Sequence, residues 1–112
     1  MNKMRNKITR IDGIVFRSMR EAARFRDLRR LECAGVITAL EVGPTYKLLP
    51  EVKTPSGAKL RRITYTPDFC YSDDKGFHCE DVKGQRSGTP YTLFRAKQRL
   101  MYEIHGIEVV EV

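Results

Sequence analysis

Apolar residues recur at helical spacing between Ser18 and Gly35, with Phe25 and Leu28 on one stripe of MREAARFRDLRRLECAG, and this period predicts an amphipathic helix. Ser18 followed by Glu21 forms the S-x-x-E capping box that starts it, and Gly35 is a suitable stop. Ahead of the helix, IDGIVF reads as a short extended piece. Beyond it, TYKLLP, KLRRITYTPDFCY and FHCEDVK have the β-branched and aromatic content of strands, separated by the turn clusters KTPSG and SDDKG. Thr89 and Pro90 fit the N-cap and first position of a second helix, YTLFRAKQRLMYEIH, which Gly106 stops. IEVVEV reads as a last strand. Three strands in succession favour antiparallel pairing, whereas a strand, helix, strand crossover favours a parallel one. The order αβββαβ thus predicts an α/β fold with a mixed β-sheet flanked by helices.

Composition sharpens the class. The 112 residues suit one domain with a real core, and 41% apolar with 31% charged residues is ordinary for a folded chain. No apolar run reaches the length of a membrane span, and the start MNKMRNK has no signal-peptide core, so no membrane partner and a cytoplasmic location are expected. Cys33, Cys70 and Cys79 show no C-x-x-C spacing, and reduced buried thiols are the expectation. His78 and His105 form no ligand spacing.

Charge points to a polyanion. The net charge is +7, with cationic clusters at Lys3–Arg10, along the first helix from Arg17 to Arg30, at Lys59–Arg62 and at Arg95–Arg99. Neutralising phosphates and releasing their counterions dominates non-specific nucleic-acid affinity. Residues 1–10 read as a flexible basic arm and residues 11–112 as the folded domain.

The chemistry concentrates in YTPDFCYSDDKGFHCEDVKG. Whether the turn is Asp73–Gly76 or the tighter Asp74–Lys75, paired positions sum to the same value, so the register is fixed. Asp68 then stands opposite Asp81 with Cβ atoms about 4.5 to 5.5 Å apart, and alternation puts Lys83 on the same face. Opposed like charges destabilise a hairpin unless something cationic lies between them. A hard divalent ion such as Mg²⁺ is a physical remedy; two carboxylates and the Val82 backbone carbonyl would leave coordination positions for phosphate and water. Lys83 could orient or deprotonate that water, or stabilise charge developing on phosphate. On its own, a D-x-K tripeptide is also what a solvated strand with one neutralising lysine would contain. Glu80 points to the opposite face. Glu21 lies between Phe25 and Leu28 in angle and faces the sheet, where either the acid pair or the capping box can satisfy it.

These residues resemble a PD-(D/E)XK nuclease: Pro67-Asp68, then Asp81-Val82-Lys83, behind a helix carrying Glu21. More closely, GIVFRSMREAARF, AGVITAL, ITYTPDF and EDVKG resemble a domain-of-unknown-function family common in phage and prophage genomes. ITYTPDF is also similar to phage Holliday-junction-resolving endonucleases, and REAARF with YTPDF to transposase-associated endonucleases. The resemblance implies a restriction-endonuclease-like core in a PD-(D/E)XK nuclease domain over residues 11–112. It further implies a Mg²⁺-dependent endodeoxyribonuclease, with Mn²⁺ as substitute, acting on DNA and on branched DNA in particular. Asp68, Asp81 and Glu21 would hold the metal with Val82, and Lys83 would serve catalysis. A phage-encoded chain would work in the host cytoplasm. Where the family pattern has an acidic residue after its first phenylalanine, this chain has Arg17. Gln98 and Tyr102 fit an accessory Q-x-x-x-Y helix motif, which surface residues explain equally well.

Arg20, Arg24, Arg62, Arg95, Lys97 and Arg99 are the expected contacts to the DNA backbone. A homodimer is the expected oligomer, since one active site per chain cuts one strand. The alternative is a non-catalytic DNA-binding protein that keeps the fold and the basic surface. RNA is disfavoured because the strands carry no paired aromatic stacking signature.

Overall fold

The computed structural model describes residues 8–112. Lys3, Arg5 and Lys7 of the expected basic arm lie outside the described residues. Thr9 and Arg10, assigned to that arm from sequence, instead belong to the fold: β1 (Thr9–Ile11) pairs antiparallel with β2 (Ile14–Phe16).

Helix α1 spans Met19–Cys33, and the Ser18 side chain accepts from the Arg20 and Glu21 N–H groups at 3.1 and 3.3 Å. Among the described residues no hydrogen bond returns from the Glu21 carboxylate, so only half of the capping box forms. The chain continues through β3 (Thr38–Val42), β4 (Tyr46–Leu49), β5 (Val52–Lys53), β6 (Lys59–Leu60), β7 (Ile63–Tyr65), β8 (Phe69–Asp73) and β9 (Gly76–Asp81). Helix α2 (Gly88–His105) and β10 (Val109–Glu111) complete it. Ser87 occupies the N-cap position of α2, so Thr89 and Pro90 sit within the first turn rather than at its boundary. Proline is tolerated there because the N–H it lacks has no intrahelical partner. Gly106 closes the helix at φ +69°, a left-handed conformation that suits glycine.

The four-stranded sheet has the order β10-β9-β8-β3, with β9 and β10 parallel and the other neighbours antiparallel. The fold is therefore mixed α/β, and α1, β3, β8, β9, α2 and β10 follow one another in αβββαβ order.

The identity of the first sheet strand differs from the sequence expectation. TYKLLP leaves the sheet to pair with β7 in a separate ribbon, and Thr38–Val42 takes its place beside β8. A bulge between Thr38 and Glu41, with Ala39 at φ +56°, breaks the period of two that would have marked β3. Glu32 accepts the Leu40 N–H at 3.1 Å within that bulge. The expected strand KLRRITYTPDFCY is likewise cut into β6, β7 and β8.

Two cores flank the sheet. Phe16, Ala22, Phe25, Leu28, Ile37 and Phe69 pack under α1 and the β1–β2 hairpin. Leu48, Tyr65, Cys70, Cys79, Phe94, Met101 and Val109 pack under α2 and the β4–β7 ribbon. Cys70 and Cys79, directly opposite with Cα atoms 4.2 Å apart, are joined as a disulfide, and Cys33 is exposed. Both findings correct the expectation of reduced buried thiols. The hairpin places the two thiols at a closely spaced cross-strand pair, and Cys33 lies in the last turn of α1.

Among the described residues no helix is long and apolar enough to cross a membrane.

Candidate functional site

The β8–β9 hairpin turns through Asp74 and Lys75, with Asp73 paired to Gly76 and every rung from there to Phe69–Glu80 in the register read from the sequence. Asp73 Oδ1 accepts the Lys75 N–H at 2.8 Å and meets His78 Nε2 at 2.7 Å, so these charges belong to the turn. Asp68 stands one residue before β8. Its backbone carbonyl accepts the Gly43 N–H at 3.0 Å, and Gly43 leaves β3 at φ +64° to make that contact.

The acids meet just beyond the last paired rung. Asp68 Oδ2 accepts the Val82 N–H at 2.8 Å, and Asp81, only 7% exposed, accepts a short hydrogen bond from the Tyr65 hydroxyl. Lys83 Nζ stands 3.5 Å from Asp81 Oδ1 and 3.8 Å from the centroid of the Phe94 ring, which fixes the ammonium between a carboxylate and a π face. Asp81, Lys83, Tyr65, Phe94 and Lys97 line an open cleft of about 330 Å³ between sheet and α2.

Electrostatics agrees with convergence. Burial, a hydrogen bond shared with Asp81 and the Asp81 charge push the Asp68 carboxyl up to about 8, against the lowering effect of the Val82 N–H. Glu21 adds to that rise. The Glu21 carboxyl is itself raised by burial and by Asp81, partly offset by Lys83. Glu21 is thus near enough to feel the Asp81 charge, and no hydrogen bond occupies its carboxylate among the described residues.

Burial and Asp81 also raise Tyr65, which keeps its proton and acts as a donor. Tyr65→Phe leaves the buried Asp81 short of one donor, and urea unfolding is expected to show a loss of about 1.5 to 3 kcal/mol.

The donor set is all oxygen, as hard cations require. Among the described residues the Val82 carbonyl accepts no backbone hydrogen bond, whereas the neighbouring groups are used: Val112 N–H donates to the Asp81 carbonyl at 2.9 Å and Lys83 N–H to the Val112 carbonyl at 3.0 Å. The chemistry of Asp68, Asp81, Glu21 and the Val82 carbonyl fits Mg²⁺ or Mn²⁺. Even so, among the described residues no group of three or more His, Cys, Asp or Glu side chains is arranged to hold a metal ion.

The expected backbone contacts separate. Arg20 reaches to 3.9 Å from where a Cβ on Gly84 would lie, beside the end of the Asp81–Lys83 segment, and Lys97 lines the acid cleft. Arg24 is bound instead to Glu80, at 2.5 and 2.9 Å. Glu80, 3% exposed, also accepts from Tyr71, whose hydroxyl is pushed up to about 12 by burial and by Glu80. This cluster lies on the α1 face, away from Lys83, as the alternation of β9 dictates.

Gln98 donates to the Val109 carbonyl at 2.8 Å, tying α2 to β10. Together with Tyr102, Arg95 and Arg99 it lines a different groove, and Arg99 pairs with Glu103 at 2.8 Å. Arg62 lies on the strand ribbon beyond the cleft. Sequence reasoning missed Tyr65 and Phe94, although Tyr65 sits in ITYTPDF three residues before Asp68.

What fold and site define together is a mixed α/β protein with a buried Asp81 beside a half-buried Asp68, a captive lysine and a cleft open beside them. The chain belongs to the family described as "Protein of unknown function (DUF1064)", which matches residues 1–109. No curated protein and no solved structure matches it.

Proposed function

We propose that this protein is a metal-dependent endodeoxyribonuclease of the PD-(D/E)XK type, with the αβββαβ elements forming a restriction-endonuclease-like core. The observation that carries the reading is the meeting of Asp68 and Asp81 on the face that also holds Lys83. Two opposed carboxylates on a hairpin end, one buried and one half-buried, are unfavourable unless a proton or a cation lies between them.

Asp68, Asp81 and the Val82 carbonyl would hold Mg²⁺ or Mn²⁺, with Glu21 completing the set. Such an ion would supply Lewis-acid stabilisation of phosphate charge and would lower the pKa of a bound water. The remaining work falls to the chain. Lys83 offers an ammonium at the open side of Asp81, positioned to hydrogen-bond a phosphate oxygen or the attacking water. Phe94 and Asp81 restrict its rotamers, so little order is lost when substrate arrives. Tyr65 keeps one Asp81 oxygen fixed. Arg20 and Lys97 supply positive charge at the rim for the sugar–phosphate backbone. With one Asp68–Asp81 site among the described residues, cutting both strands would call for a homodimer.

The missing three-side-chain group favours a second reading, a DNA-binding protein without cleavage. Labelled duplex, four-way junction, single-stranded DNA and RNA incubated with Mg²⁺ and with EDTA separate the two. Mg²⁺-dependent scission of DNA, with the junction testing branched-substrate preference, is the expected result. Tight DNA binding with no scission by any divalent ion would replace the nuclease reading with the second.

A further inference from the structure

Between β3 and β8 the chain leaves the main sheet, forms the β4–β7 ribbon and extends it into the β5–β6 hairpin. The root of this excursion is anchored. Leu48 and Tyr65 are buried under α2, His105 Nε2 meets the Lys47 carbonyl at 2.7 Å, and the Tyr46 and His105 rings pack at 5.4 Å.

The tip is different. Val52 and Leu60, which face each other across the hairpin, are 49% and 52% exposed, and Lys53 and Lys59 are exposed as well. A two-stranded hairpin solvated on both faces gains little from burial, so its own stability does not account for its composition.

The charge pattern suggests what it meets. Lys53 stands directly opposite Lys59, a like-charge pair that weakens the hairpin in isolation. Lys47, Arg61 and Arg62 add to it, and Glu51 is the single acid from β4 to β7. Among the described residues none of these five cations pairs with a carboxylate, although Arg24, Arg29, Arg30, Arg86 and Arg99 all do. Lys47, Arg61, Arg62 and Thr64 line an open groove of about 830 Å³. Thr64 also lines the acid cleft, so the cationic groove and the candidate active site adjoin at β7.

We infer that the β4–β7 ribbon and its β5–β6 tip form an arm that grips duplex DNA, lying in the major groove while the strand to be cut crosses the Asp81–Lys83 cleft. A two-stranded ribbon fits the major groove of B-form DNA, whereas the major groove of A-form RNA is too deep and narrow to admit it. The five cations would meet phosphates at the groove edges, and the exposed Val52–Leu60 face would meet base edges and thymine methyl groups. The inference rests on the nucleic-acid reading of the site but not on cleavage.

The test is equilibrium binding in EDTA of wild type and of the triple variant Lys53→Ala, Lys59→Ala, Arg61→Ala. The probes are duplex DNA and duplex RNA of one sequence, from about 0.05 to about 0.2 M salt. Loss of three phosphate contacts is expected to lower the slope of log K against log salt by about 3, with at least a tenfold loss of duplex-DNA affinity. Duplex RNA is expected to change far less. Lys53→Arg, Lys59→Arg, Arg61→Lys, which keeps the charges, is expected to retain affinity, and matching thermal melts of all three proteins show that the fold is intact.

Unchanged DNA affinity and slope in the alanine variant would overturn the arm, as would an equal loss on duplex RNA. Cleavage by wild type with Mg²⁺, measured in parallel, keeps the two ideas apart. Cleavage with no slope change sinks the arm alone, and a slope change with no cleavage sinks the nuclease alone.

Discussion

Raising the pH from about 5 to about 8.5 without metal is expected to destabilise the wild-type protein relative to Asp68→Asn. The Asp68 carboxyl is raised in the folded protein to about 8 from an ordinary value of 3.8. Between those two values the folded state holds a proton that the unfolded chain has released. The stability this proton confers is fully present below the unfolded value and is lost as pH rises through the folded one.

Asp68→Asn mimics the protonated form. It keeps an oxygen for the Val82 N–H and an amide to donate to Asp81. The difference in unfolding free energy should therefore widen with pH and level off above about 8, reaching a few kcal/mol at about 1.4 kcal/mol per unit of separation. Mg²⁺ should act in the same window with the opposite sign. At about pH 6 the ion must displace the proton, and at about pH 8.5 it need not, so its stabilisation of wild type should grow with pH. Asp68→Asn should show little of this response. Thermal melts of both proteins across the pH series, with and without Mg²⁺, measure all of it.

Lys83→Met is expected to lower Mg²⁺-dependent cleavage by about a hundred- to ten-thousand-fold, the range for removing a positioned proton-transfer or charge-stabilising group. Methionine keeps the apolar stem against Phe94 and takes away the ammonium 3.5 Å from Asp81. The fold should survive, and DNA affinity should fall by no more than one phosphate contact, a change of about 1 in the salt slope. A solvated lysine that merely neutralised Asp81 would give no such split between cleavage and binding.

The candidate site was more legible in the sequence than the fold around it. A two-residue turn between alternating segments fixes the register, so the Asp68–Asp81 meeting, the Lys83 side and the turn of Glu80 to the opposite face could all be read from residues 65–84. The same alternation explains why Arg24, on the α1 face, pairs with Glu80, something charge clustering alone could not reveal.

Strand β3 escaped notice because a bulge removed its period. The β4–β7 ribbon escaped because TYKLLP and the ITY within KLRRITYTPDFCY pair with each other at long range, and propensity is silent on partners. Tyr65 and Phe94 were invisible for a related reason: their roles come from tertiary approach to Asp81 and Lys83. The hairpin register also sets Cys70 opposite Cys79, but the absence of C-x-x-C spacing and the expectation of a reducing compartment pointed to thiols.

The most direct measurement is scission of one labelled duplex DNA by wild type and by Asp81→Asn, each with Mg²⁺ and with EDTA, alongside the binding of both. Wild type is expected to cut only with Mg²⁺, and Asp81→Asn to cut under neither condition while binding at least as tightly. Equal cutting by the two proteins, or no cutting by wild type with any divalent ion, would contradict a metal-dependent nuclease built on Asp68, Asp81 and Lys83.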